Sequence, residues 1–192
     1  MATHANNFQS GLATVNSFRG CTVSARARVK WCPPNPGIFK INVDGALFVE
    51  DNCVGLGAMV RDCEGQAIAA RSKKIIGTFP ATVVEATAMR FAIGFARDLG
   101  LWTVELEGDC MEVVNALKAK EVLLNPLGLI IDDILSALVQ FHGGVSFSHT
   151  YRDGNAVAHG LAKHAQYIKD LCVWIEDVPE FVRDCFVVDL GS

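Results

Sequence analysis

Three carboxylates stand where carboxylates are poorly suited to the local structure. Asp44 lies inside the alternating run Ile38–Phe48, although aspartate is a weak strand former. Glu85 shares a helical stripe with Ala88, Met89, Ala92, Phe95 and Leu99, the spacing of a core-facing surface. Asp109 closes the short run Val104–Gly108, at a strand end. A single aspartate there reads as a helix N-cap. Asp44 before Gly45 reads as a turn acid, and Glu85 as the partner of Arg90 or another cation. Taken together, the three acids make a different reading competitive. Strand ends and helix starts gather at one edge of an α/β sheet, so the three side chains can converge. Converging carboxylates repel one another, and a hard divalent cation relieves the repulsion. Mg²⁺ suits a site of one or two protein carboxylates plus a substrate phosphate, with Mn²⁺ as its substitute. A pair of such ions is the arrangement that cleaves phosphodiesters, one activating the attacking water and the other steadying the leaving oxygen.

The elements that would hold these acids follow from pattern and punctuation. Trp31-Cys32-Pro33-Pro34-Asn35-Pro36-Gly37 excludes helix and central strand, and a domain starts there. Ile38–Phe48 alternates, with Phe39, Ile41 and Val43 on one face and Lys40, Asn42 and Asp44 on the other. Val54–Arg61 and Gln66–Ile76 follow across short turns, as an antiparallel meander. Ala81–Leu99 reads as a long helix stopped by Gly100. Thr103–Glu107 is a strand, and Asp109 with Glu112 resembles a capping box that opens a helix through Lys118. Pro126 interrupts, Leu127–Phe141 is a further helix, Val145–Thr150 a fifth strand and Ala156–Lys169 the last helix. Three consecutive strands followed by alternating units predict a mixed α/β sheet with helices packed on it.

Composition narrows the function classes. The chain has 192 residues, 51% hydrophobic and 20% charged, which excludes wholesale disorder. Residues 1–30 carry Arg19, Arg26, Arg28 and Lys30 and no acid, giving a flexible basic arm or linker, with a transit peptide as the other reading. Residues 31–192 carry 13 basic and 21 acidic residues, a net charge of −8. Seven scattered cysteines without a C-x-x-C pair argue against a zinc ribbon and for reduced thiols in an intracellular protein, nuclear or cytoplasmic, or in an organelle if the arm is a targeting signal. No spanning segment stands out, so no membrane partner is expected. The domain is predicted over residues 31–170, with a tail at 171–192 whose Trp174, Phe181 and Phe186 dock on it.

The ordered motifs Asn42-Val43-Asp44-Gly45-Ala46, Gly55-Leu56-Gly57, Val60-Arg61-Asp62, Glu85-Ala86, Glu107-Gly108-Asp109, Arg152-Asp153-Gly154-Asn155 and Ala158-His159-Gly160-Leu161-Ala162 resemble the ribonuclease H family, in its plant retroelement-type branch. The likeness covers about residues 31–189. It implies a ribonuclease H-like fold: a five-stranded mixed sheet, three antiparallel strands then two parallel, with helices on both faces. It also implies a monomeric endonuclease that hydrolyses the RNA strand of RNA–DNA hybrids with Mg²⁺ or Mn²⁺. Asp44 would then bridge two ions, and Glu85 and Asp109 would each complete one shell. Gly45, Ala46 and Thr82 would touch the hybrid, which such enzymes read through its minor groove. His149 would assist water or product movement. Many active members carry an aspartate four residues after the asparagine matching Asn155; here that position is His159. The implied roles of His159 are to hold the second ion through water, to carry protons, or none, with Asp153 as a nearby source of charge. Neutral imidazole is a poor Mg²⁺ ligand. The stretch Val122–Ile131 is uncharged where some relatives carry a basic handle, which with the acidic body predicts weak, salt-sensitive hybrid binding. The competing expectations are a catalytically weak or inactive nucleic-acid-binding module on the same fold, and an α/β protein with no nucleic-acid role.

Overall fold

The structure is a computed structural model, and it describes residues 30–120 and 124–191. The expected basic arm, apart from Lys30, lies outside the described residues. Strands β1 (Phe39–Phe48), β2 (Cys53–Arg61) and β3 (Ala67–Ile76) form the antiparallel meander. Helix α1 (Ala81–Asp98) leads to β4 (Val104–Gly108), α2 (Met111–Ala119), α3 (Pro126–Ala137) and β5 (Val145–His149). Helix α4 (Ala156–His164), β6 (Leu171–Ile175) and α5 (Arg183–Asp189) complete the chain. The sheet order is β5-β4-β1-β2-β3-β6. β4 lies parallel to β1 and β5 parallel to β4, while the other neighbours are antiparallel.

The sheet therefore has six strands, not five. Leu171–Ile175 pairs antiparallel with β3, Trp174 opposite Ala70 and Val173 opposite Arg71. Alternation explains the strand: Cys172 and Trp174 are half-buried, and Leu171, Val173 and Ile175 point to solvent.

Two cores flank the sheet. Helices α1, α2 and α3 pack Val84, Ala88, Met89, Val113, Leu117 and Ile131 against Ile41, Val43, Leu56 and Leu106. On the other face Val157 and Leu161 of α4, with Val182 and Phe186, cover Met59 and Ala70. Gly57 is what lets α4 come so close: a Cβ there would overlap the Ala158 carbonyl and the Ala162 nitrogen. Proline 126 opens α3 rather than interrupting it, because N1 needs no N–H, and Asn125 caps the helix by accepting from the Gly128 N–H at 2.9 Å. The α-helix stops at Ala137 and tightens into a 3-10 turn, short of the expected Phe141. α4 likewise ends at His164, with a 3-10 turn over Ala165–Tyr167. Among the described residues no helix is long and apolar enough to cross a membrane.

Candidate metal centre

Each acid of the trio is delivered by a different kind of element. Asp44 sits mid-β1, opposite Gly57, with 2% of its surface exposed. Glu85 stands in the second turn of α1. Asp109 follows the last residue of β4. One carboxylate oxygen from each lies within 4.8 Å of the other two. The separate explanations for these acids do not hold. The N-cap of α2 is Cys110, which makes no side-chain cap bond, so Asp109 is not capping. Asp44 is in a strand and not a turn. Arg90 pairs with Asp133 at 3.1 Å rather than with Glu85.

The electrostatics of the trio are those of uncompensated negative charge. Burial raises the Glu85 carboxyl to about 8, and Asp44 and Asp109 push it the same way; the Gly45 N–H, donating to Glu85, and the Arg152 charge pull weakly against this. Asp109 is also held above the usual carboxylate range, first by burial and then by Asp44, again against Arg152. Among the described residues no lysine or arginine forms an ion pair with any of the three, and the partner of Asp44 is His159. The donor set is all oxygen, convergent and self-repelling, which fits a hard divalent cation better than a soft one.

The two histidines take different places. His159 Nδ1 lies 2.7 Å from Asp44 Oδ2, so the imidazole at the fourth position binds the carboxylate itself. His149, the last residue of β5, lies opposite Gly108 and directs Nε2 at the Asp109 carbonyl, 3.2 Å away. At Gly45 β1 passes close to α1: a Cβ would come 2.7 Å from Val84 Cγ1, and glycine leaves the backbone N–H in reach of Glu85. Ala46 is buried, with 8% of its surface exposed, and Thr82 is half-buried in the first turn of α1.

Behind the trio lies a polar layer that the sequence reading did not single out. Lys40, Asn42 and Asp44 occupy one face of β1, and all three are buried. Asn42 Nδ2 donates to Glu107 Oε1 at 2.9 Å and to Asn155 Oδ1 at 3.3 Å. Asn155 donates to the Val43 carbonyl at 2.8 Å, and Lys40 Nζ to Glu107 Oε2 at 3.0 Å. Arg61, fully buried, donates to Asn42 Oδ1 and to Asp189 Oδ2 and stacks 3.8 Å from the Trp31 ring. The available signal was the period-2 row of polar residues on β1, together with Asn155 on another element. Arg152 was a second omission; only the fold brings its charge to Glu85 and Asp109.

The comparisons concern the family and the fold. The family model described as reverse transcriptase-like matches residues 42–165. A provisionally named ribonuclease H protein of Arabidopsis thaliana is 30% identical over 137 residues, 71% of this chain. The chain spans only 22% of that relative's length. The crystal structure of RNase H1 from the halophilic archaeon Halobacterium salinarum superposes with a TM-score of 0.62 at 24% identity, over 68% of this chain and 98% of that one. LC11-RNase H1, crystallised with an RNA/DNA hybrid, gives 0.59 at 22% identity, over 66% and 95%. These two likenesses carry the fold, and the family-model match over residues 42–165 carries the family. The chain belongs to the reverse transcriptase-like family and contains its ribonuclease H-like domain.

Proposed function

We propose that the domain is a nuclease that hydrolyses the RNA strand of RNA–DNA hybrids, with Mg²⁺ or Mn²⁺ held by Asp44, Glu85 and Asp109. The observation that carries the reading is the convergence of three buried or half-buried carboxylates from a strand, a helix and a strand end to within 4.8 Å. The relatives' names, and the hybrid bound to one of the structural neighbours, support the substrate class. Asp44, Glu85 and Asp109 would hold divalent ions, whose chemistry there would be to activate a water and to offset charge on the leaving oxygen. The chain's own residues supply position and charge. His159 Nδ1–H, donating to Asp44 Oδ2, fixes that carboxylate's rotation and leaves its other oxygen for a cation. The Gly45 N–H holds Glu85, and the His149 contact ties the end of β5 to the Asp109 backbone. On this reading the hybrid's backbone would lie along Gly45, Ala46 and Thr82, the residues the family resemblance implies.

The test is cleavage of a labelled RNA–DNA hybrid in Mg²⁺ and in Mn²⁺. Asp44→Asn should lower the rate by about 10³-fold, the scale of losing one charge-stabilising group from an active site. Equal rates for wild type and Asp44→Asn in both metals would refute the assignment. The reading of a catalytically weak or inactive binding module is favoured by one contact: His159 stands at the fourth acid position and engages Asp44 directly. On that reading divalent metal gives no Asp44-dependent rise in melting temperature.

A further inference from the structure

Strand β6 is an edge of the sheet, and among the described residues nothing pairs with its outer side. Its backbone parity is fixed by β3. The Lys74 N–H donates to the Asp170 carbonyl at 2.7 Å, and the Glu176 N–H to the Ile68 carbonyl at 2.9 Å, so even-numbered residues turn their backbone groups to β3. Antiparallel ladders alternate, so the N–H and C=O groups of Leu171, Val173 and Ile175 point away from the sheet. The side chains of the same three residues share one face and are 43%, 42% and 57% exposed. On the other face Trp174 lies edge-on to Phe181 at 5.8 Å, and Phe181 is itself exposed. No charge, proline or bulge blunts this edge within Leu171–Ile175. The opposite edge, β5, carries Ser146 and Ser148 among its apolar residues. β6 also lies outside the family-matched residues 42–165.

An open apolar edge is a template for another strand, and the sequence of β6 matches itself. An antiparallel copy must bring outward-facing residues together, which restricts the register to odd opposite odd. With Val173 opposite Val173, Leu171 meets Ile175 at both ends, and each of these pairs exchanges two backbone hydrogen bonds. Every side chain of that face then meets an apolar one, and Trp174 comes opposite Cys172 on the other face. A shift by two residues sets Lys169 against Ile175, or Asp177 against Leu171, a charge opposite an apolar side chain. In the Val173-centred register Lys169 instead faces Asp177 of the second copy, opposite in sign. Asp170 and Glu176 also come opposite each other, but both are exposed and the chain leaves the strand at Glu176, where φ is +53°, so water screens them.

We propose that β6 is a self-association edge: two copies of the chain join β6 to β6, antiparallel, about a two-fold axis at Val173, and their sheets become continuous. The monomer that the family resemblance implies is then the low-concentration state. Five residues a side fall short of the roughly 1,200 Å² of a standard interface, so the dimer is weak, with a Kd of about 10–100 µM. Asp44 lies on β1, three strand spacings from β6, about 14 Å, so pairing leaves both carboxylate clusters uncovered. The pairing is independent of the nuclease assignment.

Sedimentation velocity of the full chain from about 1 to about 500 µM, in EDTA and a thiol reductant, is the test. A reversible monomer–dimer equilibrium is expected. Val173→Lys, at an exposed side chain that the fold does not need, sets two ammonium groups against each other at the axis and should raise Kd by about tenfold or more. Val173→Pro removes an N–H that β3 does not use and should act in the same direction. Leu171→Lys should weaken association, and adding Ile175→Glu should restore much of it, because the two new charges face each other only in the Val173-centred register. A chain that stays monomeric throughout overturns the proposal and leaves the edge to a strand of another protein. A dimer that keeps its wild-type Kd in Val173→Lys and Val173→Pro overturns it too, since the contact then lies elsewhere. Loss in Leu171→Lys with no recovery in the double variant overturns the Val173-centred pairing.

Discussion

Glutamate 85 offers the sharpest test of the carboxylate nest, through folding stability rather than activity. Its carboxyl is raised from an ordinary 4.5 to about 8, with burial as the main cause and Asp44 next. Between those two pH values the folded chain holds a proton that the unfolded chain has released. Stability from this group is therefore complete below about pH 4.5 and is lost as pH rises toward 8. At 1.36 kcal/mol per pH unit, the metal-free protein gives up about 3 kcal/mol by pH 7 relative to pH 4.5. Glu85→Gln keeps the shape and an acceptor for the Gly45 N–H but cannot ionise. Allowing for the half-buried position, its advantage in EDTA at pH 7.5 should be about 2 kcal/mol, a Tm rise of about 4–8 °C for a domain of this size. Asp109, raised by the same causes, leaves the variant a residual slope with pH. Added Mg²⁺ or Mn²⁺ should invert the order, because wild type gains about 3 kcal/mol at a hundred times Kd and the variant gains less. Melting curves from pH 4.5 to 8.5, with EDTA and with each metal, measure all of this. Parallel wild-type and variant curves in EDTA would refute the electrostatic account of the site.

Three further outcomes follow from named contacts. Gly57→Ala forces a Cβ into the α4 backbone, and urea unfolding should show a loss of about 1–3 kcal/mol. Asp189→Ala leaves the fully buried Arg61 without its carboxylate partner, and the same measurement should show about 3–5 kcal/mol lost. His159→Ala frees the Asp44 carboxylate to rotate; hybrid cleavage should fall by about 10- to 100-fold, with part of the loss recovered at high Mn²⁺.

What the sequence reveals and what it conceals divide along physical lines. Asp44, Glu85 and Asp109 were readable because each violates a local preference, and three violations on an α/β element order have one shared remedy. The helices with continuous apolar stripes were readable for the same reason that they fold, since the stripe is what they bury. Strand β6 was not readable as a strand. Its five residues alternate too briefly to separate a sheet edge from a docking tail, and only its pairing with β3 decides. The N-cap of α2 was misplaced because Asp109 and Glu112 mimic a capping box, while convergence with Asp44 turns Asp109 to the cluster. Alternation along β1 identified two faces but not that both are buried. A polar face ordinarily marks solvent, and here α4 covers it.

That covered polar face bears directly on the proposed metal centre. A buried ion pair such as Arg61–Asp189 costs desolvation on both sides, so its presence is weak support for stability. Its consequence is geometric. Asp189 on α5 holds Arg61 on β2, Arg61 holds Asn42 on β1, and Asn42 meets Asn155 at the start of α4. Asn155, four residues before His159, in turn binds the carbonyl of Val43, one residue before Asp44. Sliding α4 along the sheet would break the Asn155 bonds and the His159–Asp44 contact at once, stranding polar groups without water. The apolar contacts of Val157 and Leu161 tolerate small shifts, since burial is non-directional. Hydrogen bonds do not, so the polar layer sets the register of α4 and with it the orientation of the central carboxylate. Because the first link in that series is Asp189, the C-terminal helix belongs to the machinery that positions Asp44, although its own atoms lie outside the family-matched residues.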